Sequence, residues 1–187
     1  MSRTRVAQLA GTAVAAAILG LIAGVPADAQ QESADELLAA YGPVYDIDAP
    51  EFATPTELDY RVAFDVAASP EDKAALNPAL VTPARFLRMH DRAGVPAEQM
   101  DVVVVVHGGA GKDMLSNDAY RARYGIDNPN AELLQALQRA GARIVLCGQT
   151  AAHRDLGDGL AAGVEQALSA MTALIALQAE GYALIAF

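Results

Sequence analysis

A glycine-rich loop in the middle of the chain could carry phosphate chemistry. It follows a hydrophobic run in VVVVVHGGAGKD, residues 102–113. A phosphate-binding loop requires G-x-x-x-x-G-K-[ST], because backbone amides must surround the phosphates, the lysine must reach them and the hydroxyl must bind magnesium. Here Val106 replaces the first glycine and Asp113 replaces the hydroxyl residue. The dinucleotide fingerprint G-x-G-x-x-G fails as well, since Met114 stands where its third glycine should be, so no nucleotide or other cofactor is expected.

A cysteine and a histidine remain as candidates for chemistry, because each lies at the carboxyl end of a predicted strand. His107, Gly108 and Gly109 come directly after the hydrophobic run, and Cys147 ends the strand in RIVLCGQT. Ligands collect at the carboxyl ends of strands in open α/β sheets, so both side chains are expected on one rim of the sheet. A following helix, with Thr150 as a possible cap, would favour the thiolate, and so would a nearby imidazole or cation. The candidate groups are His107, His153, Lys112 and Arg154.

Cys147 also has a plain structural interpretation. Free cysteines are among the most buried residue types, so an inert core thiol is the alternative. As the only cysteine in the chain, it cannot belong to an internal disulfide. The three histidines and the cysteine show no spacing typical of zinc ligands, so no metal is predicted. No G-x-S-x-G occurs around Ser116 or Ser169, which argues against a hydrolase.

The charge of the chain narrows its partners. Its 187 residues include 23 acidic and 13 basic side chains, giving a net charge of −10. Such a chain repels phosphate backbones, which argues against nucleic acid as a partner. The same repulsion argues against binding to anionic lipid.

The first 29 residues have the layout of a secretory signal peptide. Arg3 and Arg5 precede a small-residue apolar stretch, residues 6–25, and Ala27-Asp28-Ala29 forms an A-x-A cleavage site. The alternative is an uncleaved membrane anchor, because the stretch is about long enough to span a bilayer. The signal peptide is the preferred interpretation, and it predicts a periplasmic or secreted protein without membrane attachment after cleavage.

Residues 30–59 form an acidic arm. This range contains no lysine or arginine and includes three prolines. Its composition is typical of a solvated leader, with a short helix near residues 35–40. An arm that wraps a neighbouring subunit is the alternative.

Residues 60–187 alternate strand and helix signals. Single helices between strands imply right-handed crossovers and a parallel sheet covered on both faces. We therefore predict an α/β domain, a three-layer sandwich with a mainly parallel sheet of about four to five strands. The predicted strands are residues 60–67, 101–106, 142–147 and 182–187, and the last is expected inside the sheet or in a subunit interface. The predicted helices start at Thr82-Pro83, at Asn128-Pro129 and at Val164, and end at Gly94, Gly141 and Gly181.

Together these motifs resemble the DsrE/DsrF-like family, in the branch that carries an export signal. The resemblance covers about residues 60–187, with its parts in the expected order. These are the strand ending in His107-Gly108, Asn128-Pro129, Cys147-Gly148-Gln149, Ser169 in the late helix, and Gly181-Tyr182 before the last strand.

The resemblance implies a DsrEFH-like or YchN-like fold, often assembled as trimers or hexamers. It also implies sulfur relay, in which a strand-end cysteine carries a persulfide between a sulfur donor and an acceptor. Cys147 falls on that position, and in the sulfur-relay hypothesis His107 would stabilise the anion. Amides and side chains near the rim would bind ligand, and the candidates are Gly108, Gly109, Asn128, Gly148 and Gln149. The alternative is a non-catalytic oligomeric binding or assembly protein, with a small-anion or partner site at the sheet rim.

Overall fold

The computed structural model describes residues 32–186. The predicted signal peptide, residues 1–29, lies outside the described residues. None of the helices in the described range has the length and apolar character needed to cross a membrane.

Five parallel strands form one sheet, in the spatial order β4-β3-β2-β1-β5. Their bounds are Tyr60–Val66 (β1), Met100–Val106 (β2), Arg143–Cys147 (β3), Val164–Ala167 (β4) and Ala183–Ala186 (β5). The central strand β2 is a run of valines without alternation, as expected for a strand buried on both faces. Because all strands are parallel, their carboxyl ends lie along one rim.

Helices cover both faces of the sheet, so the predicted α/β sandwich is confirmed. Their bounds are Ala34–Leu37 (α1), Pro78–Arg92 (α2), Asn117–Tyr124 (α3), Ala131–Arg139 (α4), Gly148–His153 (α5) and Ala170–Ala179 (α6). The larger core lies between the sheet and a layer that includes α1, α2 and α4. A smaller core lies beneath α6 on the other face and contains Cys147. The segment Gly108–Met114 after β2 is a 3-10 helix, called here the glycine loop.

The predicted start of α2 is wrong by five residues. The helix begins at Pro78, and the Asn77 side chain accepts a hydrogen bond from the Ala79 amide at 2.9 Å. Asn77-Pro78 therefore supplies the cap-and-proline signal that was assigned to Thr82-Pro83. Pro83 lies inside the helix instead.

The helix predicted to open at Asn128-Pro129 begins later, at Ala131. The Asn128 side chain accepts a hydrogen bond from the Asn130 amide at 2.9 Å. This contact forms an Asx turn immediately before the helix, so Asn128 directs the chain into α4 without being part of it.

The predicted long helix over residues 164–180 is wrong. Val164–Ala167 forms the edge strand β4, and only Ala170–Ala179 is helical. The division falls at Ser169, whose hydroxyl accepts a hydrogen bond from the Thr172 amide at 3.0 Å and caps α6. β4 has only four residues and leads into an apolar helix, so it is too short for a change of periodicity to mark the boundary.

The last strand, β5, lies at the edge of the sheet beside β1, and not inside it. Its residue Leu184 is 42% exposed. The expectation that this strand lies in a subunit interface stays a prediction.

The start of the acidic arm packs against the domain. The predicted short helix forms as α1, and a capping box between Ser33 and Glu36 marks its start. Leu38, directly after the helix, is fully buried in the larger core. Asp35 bonds Arg88 Nε at 2.8 Å and Arg92 Nε at 2.9 Å. Burial works against the charge of Asp35, but these two guanidinium groups hold the pKa of its carboxyl below the ordinary value. The solvated-leader interpretation therefore does not describe the arm between residues 33 and 38.

Replacing Leu38 by alanine tests whether α1 belongs to the core. We expect Leu38→Ala to lower the free energy of unfolding by about 2–5 kcal/mol, because it leaves a cavity at a fully buried site. Urea unfolding of the full chain measures this change. Leu58→Ala is the matched control, since Leu58 lies in the same arm but is 50% exposed. Equal losses in the two variants would contradict the packing of α1.

Candidate functional site

The candidate site lies on the rim where β1, β2 and β3 end. Val106 pairs with Leu146, so the next residues along these strands are His107 and Cys147. Side chains alternate between the faces of a strand, which places His107 and Cys147 on the face covered by α6. Asp65, near the end of β1, shares that face. The predicted common rim is therefore present in the fold.

Cys147 is nearly enclosed at the end of β3. Its residue is 6% exposed and packs in the smaller core with Val145 and Ala170. It also occupies the N-cap position of α5. The Cys147 thiol thus lies between the beginnings of two helices, α5 and α6.

The surroundings of Cys147 favour its thiolate. Burial alone would raise the pKa of the thiol, but hydrogen-bond donors outweigh it and hold the pKa below its ordinary value. The backbone amide and hydroxyl of Thr150 contribute most, followed by the amides of Ala170 and Gln149. These donors belong to the first turns of α5 and α6, where amides have no partner within the helix. A lowered pKa is the property that makes a thiol nucleophilic at neutral pH.

Thr150 has a different role from the predicted one. It lies in the first turn of α5, and the capping position belongs to Cys147. Its Oγ1 accepts a hydrogen bond from the Gly108 amide at 3.0 Å, which leaves the hydroxyl proton free to donate to sulfur. Gly108, predicted to bind ligand, therefore contacts the same hydroxyl that helps to lower the pKa of Cys147.

Gly148 and Gln149 join the rim to β4. A Cβ atom at Gly148 would lie 2.5 Å from the Ala167 carbonyl oxygen, so only glycine lets α5 start this close to β4. Gln149 is exposed, and its Nε2 donates to the Leu168 carbonyl at 3.3 Å. Both predicted ligand-binding residues thus lie beside Cys147.

His107 faces a carboxylate. Its Nε2 lies 2.9 Å from Asp65 Oδ1, and both side chains are partly exposed. Stabilisation of the Cys147 anion by His107 stays a prediction, since the groups that chiefly lower the pKa of Cys147 are amides and a hydroxyl. Sequence reasoning missed Asp65, whose only signal is a polar position close to the end of a strand.

Three other candidates have internal partners or lie on the surface. Lys112 is buried and bonds Asp113 Oδ1 at 2.6 Å through its ammonium group. Although burial works against the charge, Asp113 raises the pKa of Lys112 above its ordinary value. Asn128 is 4% exposed, and its Nδ2 donates to the Asp113 and Leu115 carbonyls. His153 is exposed at the end of α5.

Within the described part of the chain, no cluster of metal-binding side chains accompanies Cys147. Between residues 32 and 186, no group of three or more His, Cys, Asp or Glu side chains is arranged to hold a metal ion. A cavity of about 470 Å³ lies elsewhere, between the acidic arm and the end of α2, where Tyr45, Phe52 and His90 line it. Gly109 backs onto the end of β1, where a Cβ atom would lie 3.5 Å from the Ala67 carbonyl oxygen.

The sequence profile of the DsrE/DsrF-like family matches residues 61–187. Two solved structures share the fold. The protein of unknown function MTH1491 from Methanobacterium thermoautotrophicum is 22% identical with a TM-score of 0.50, covering 69% of this chain and 100% of its own. The ychN protein from E. coli is 15% identical with a TM-score of 0.51, covering 68% and 99%. No curated protein is significantly similar in sequence.

Removing the Thr150 hydroxyl tests its contact with sulfur. Thr150→Val keeps the side-chain shape but loses the donor, so we expect the pKa of Cys147 to rise. The pH profile of iodoacetamide alkylation should move to higher pH, with rates on its acidic side falling about tenfold. Thr150→Ser is the matched control, because it keeps the hydroxyl. Identical profiles for Thr150→Val and the wild type would contradict the assignment.

Proposed function

The chain belongs to the DsrE/DsrF-like family, and from this premise we propose that it carries sulfane sulfur on Cys147 as a persulfide. In this role the protein receives sulfur from a donor persulfide or a small sulfur compound and passes it to an acceptor. It is a carrier of the sulfurtransferase type, and the chemistry resides in the thiol without a cofactor.

One observation carries the proposal: Cys147 is buried, yet its surroundings favour the charged thiolate. A buried thiol with no role packs as a small apolar group, and burial raises its pKa. Here donors from Thr150, Gln149 and Ala170 reverse that effect. The same donors stabilise a negative charge on sulfur whenever a persulfide forms or breaks.

The transfer step conserves atoms and electrons. The Cys147 thiolate attacks the outer sulfur of a donor persulfide, R-S-SH, forming a new S–S bond as the donor S–S bond breaks. Cys147 becomes the persulfide and the donor leaves as a thiolate, which takes a proton. No external oxidant or reductant is consumed. Delivery to an acceptor thiolate is the same step in reverse.

Asp65 and His107 are placed to assist the departing group. Their side chains lie on the same face of the rim as Cys147, and both are partly exposed. A carboxylate hydrogen-bonded to one ring nitrogen orients the imidazole and leaves the other nitrogen for a ligand. In the proposed transfer, His107 exchanges a proton with the leaving thiolate.

The proposal includes export of the protein to a periplasmic or secreted location. The support is the layout of residues 1–29, with two arginines, an apolar stretch and an A-x-A site. An exported carrier meets an oxidising compartment. Enclosure of Cys147 protects its sulfur there, because oxidation follows the exposure of a thiolate.

Sulfur loading tests the carrier function directly. The intact mass of the folded wild-type protein should rise by the mass of one sulfur atom after exposure to a small persulfide donor, and fall back after reduction. Cys147→Ser should not load, because serine cannot form a persulfide, and its unfolding midpoint should stay close to that of the wild type. A wild-type protein that alkylates at Cys147 yet never gains sulfur would contradict the carrier function.

A second candidate, a non-catalytic oligomeric binding or assembly protein, is favoured by the surface of α6. This helix is apolar around its circumference, and Met171 and Ile175 are 71% and 68% exposed. Leu168, at the entrance to the helix, is 73% exposed. Exposed apolar surface of this kind marks an interface. We propose self-association through α6, in a trimer or hexamer, for either function.

Placing a charge on α6 tests this interface. Ile175→Glu should convert the oligomer to monomer in native mass spectrometry, because a buried, unpaired carboxylate is costly at an interface. Gln178→Glu is the matched control, since it adds the same charge at another exposed position of the same helix. A wild-type protein that is monomeric at all concentrations would contradict the proposed interface.

A further inference from the structure

The glycine loop lies directly against Thr150. The Gly108 amide donates to Thr150 Oγ1 at 3.0 Å. A Cβ atom at Gly111 would lie 2.6 Å from the Thr150 methyl carbon Cγ2, closer than side-chain atoms approach each other. The loop therefore touches both branches of the threonine side chain.

Two such contacts select one conformation of Thr150. A threonine side chain has three staggered rotamers, and each exchanges the positions of the methyl, the hydroxyl and the hydrogen on Cβ. In the observed rotamer the methyl fits the space left by Gly111, and the hydroxyl meets the Gly108 amide. Since the oxygen accepts from Gly108, its own proton is available to another acceptor.

A buried ion pair anchors the far end of the loop. Lys112 Nζ lies 2.6 Å from Asp113 Oδ1, and the two side chains are 8% and 0% exposed. Asp113 also accepts hydrogen bonds from Ser69 at 3.0 Å and from Asn77 at 2.7 Å. Separating or exposing a buried, hydrogen-bonded ion pair is unfavourable, so the segment that contains it stays packed in one position. The ion pair thus keeps Gly108 and Gly111 in place.

We propose that the glycine loop is a positioning element, which fixes the Thr150 rotamer so that its hydroxyl proton points at the Cys147 sulfur. The loop acts on the sulfur only through Thr150, and the inference rests on the proposed function in taking Cys147 as the reactive group. It assigns a role to the GGAGKD segment that phosphate binding does not supply. Gly111 makes room for a methyl group, and Lys112 balances the buried Asp113.

A pair of substitutions isolates the contact between Gly111 and Thr150. Gly111→Ala places a methyl group where Thr150 Cγ2 lies, and its backbone angle is one that alanine adopts. Leu156 Cδ1, at 3.2 Å from the new atom, is the end of a flexible side chain and can yield. Thr150→Ser removes Cγ2 and keeps the hydroxyl. The double variant therefore restores the space that Gly111→Ala fills.

The readout is the pH profile of Cys147 alkylation by iodoacetamide in the full chain. We expect Gly111→Ala to move the profile to higher pH and to lower the rate on its acidic side about tenfold, the effect of losing one hydrogen bond to a charge. The double variant should react within about twofold of Thr150→Ser alone. A Gly111→Ala profile equal to that of the wild type, or no rescue in the double variant, would overturn the proposal.

A second measurement leaves the loop sequence intact and covers the case in which Gly111→Ala does not fold. Hydrogen exchange of the Gly108 amide should be at least about tenfold faster in Thr150→Val than in the wild type, because its acceptor is lost, and unchanged in Thr150→Ser. Equal exchange in Thr150→Val would overturn the contact.

Both readouts are independent of sulfur loading. If the alkylation profiles follow the expected order but the wild type never loads sulfur, the carrier function fails while the positioning role stands. If the wild type loads sulfur and the alkylation profile of Gly111→Ala equals that of the wild type, the positioning role fails and the carrier function stands. A wild-type Cys147 that iodoacetamide does not modify in the folded state would overturn the positioning role.

Discussion

A charge on a buried sulfur is the constraint on which the site depends. An anion removed from water is stable only where hydrogen-bond donors replace the lost hydration. At Cys147 these donors come from the first turns of two helices, and Thr150 contributes both an amide and a hydroxyl. Without them, burial would keep the thiol neutral and unreactive. The fold must therefore bury the sulfur and, at the same time, place hydrogen-bond donors around it that stabilise its negative charge.

The parallel sheet supplies the positions from which this arrangement is built. Helix α5 starts at the end of β3, and only two residues separate the end of β4 from the start of α6. Because β3 and β4 are neighbours in the sheet, their carboxyl ends bring both helix N-termini to Cys147. Gly148 permits the close approach, since any larger residue would meet the Ala167 carbonyl. Chain topology and one glycine thus determine which amides surround the sulfur.

Much of this fold was predictable from local pattern. The valine run, the strand ending in Cys147 and the helix stop at Gly94 are strong signals within a few residues. The shared rim of His107 and Cys147 followed from parallel strand order.

The edge strand β4 was missed, because its four residues continue into an apolar helix without a change in period. The role of Thr150 was also missed, since it depends on a contact with Gly108, 42 positions away in sequence. The spacing of residues in the sequence does not indicate that Gly108 contacts Thr150, or that Asp65 lies beside His107.

The chain belongs to the DsrE/DsrF-like family, and the geometry of its rim favours a thiolate at Cys147. The pKa of Cys147 can be measured without knowing the sulfur donor or acceptor. Titration of the thiolate absorbance of Cys147 in the native protein, beside the same titration in the urea-unfolded chain, tests it most directly. We expect a lower midpoint in the native protein, because only the folded chain brings the donors to the sulfur. A native midpoint equal to or above that of the unfolded chain would show that burial dominates, and would make Cys147 a packed core residue.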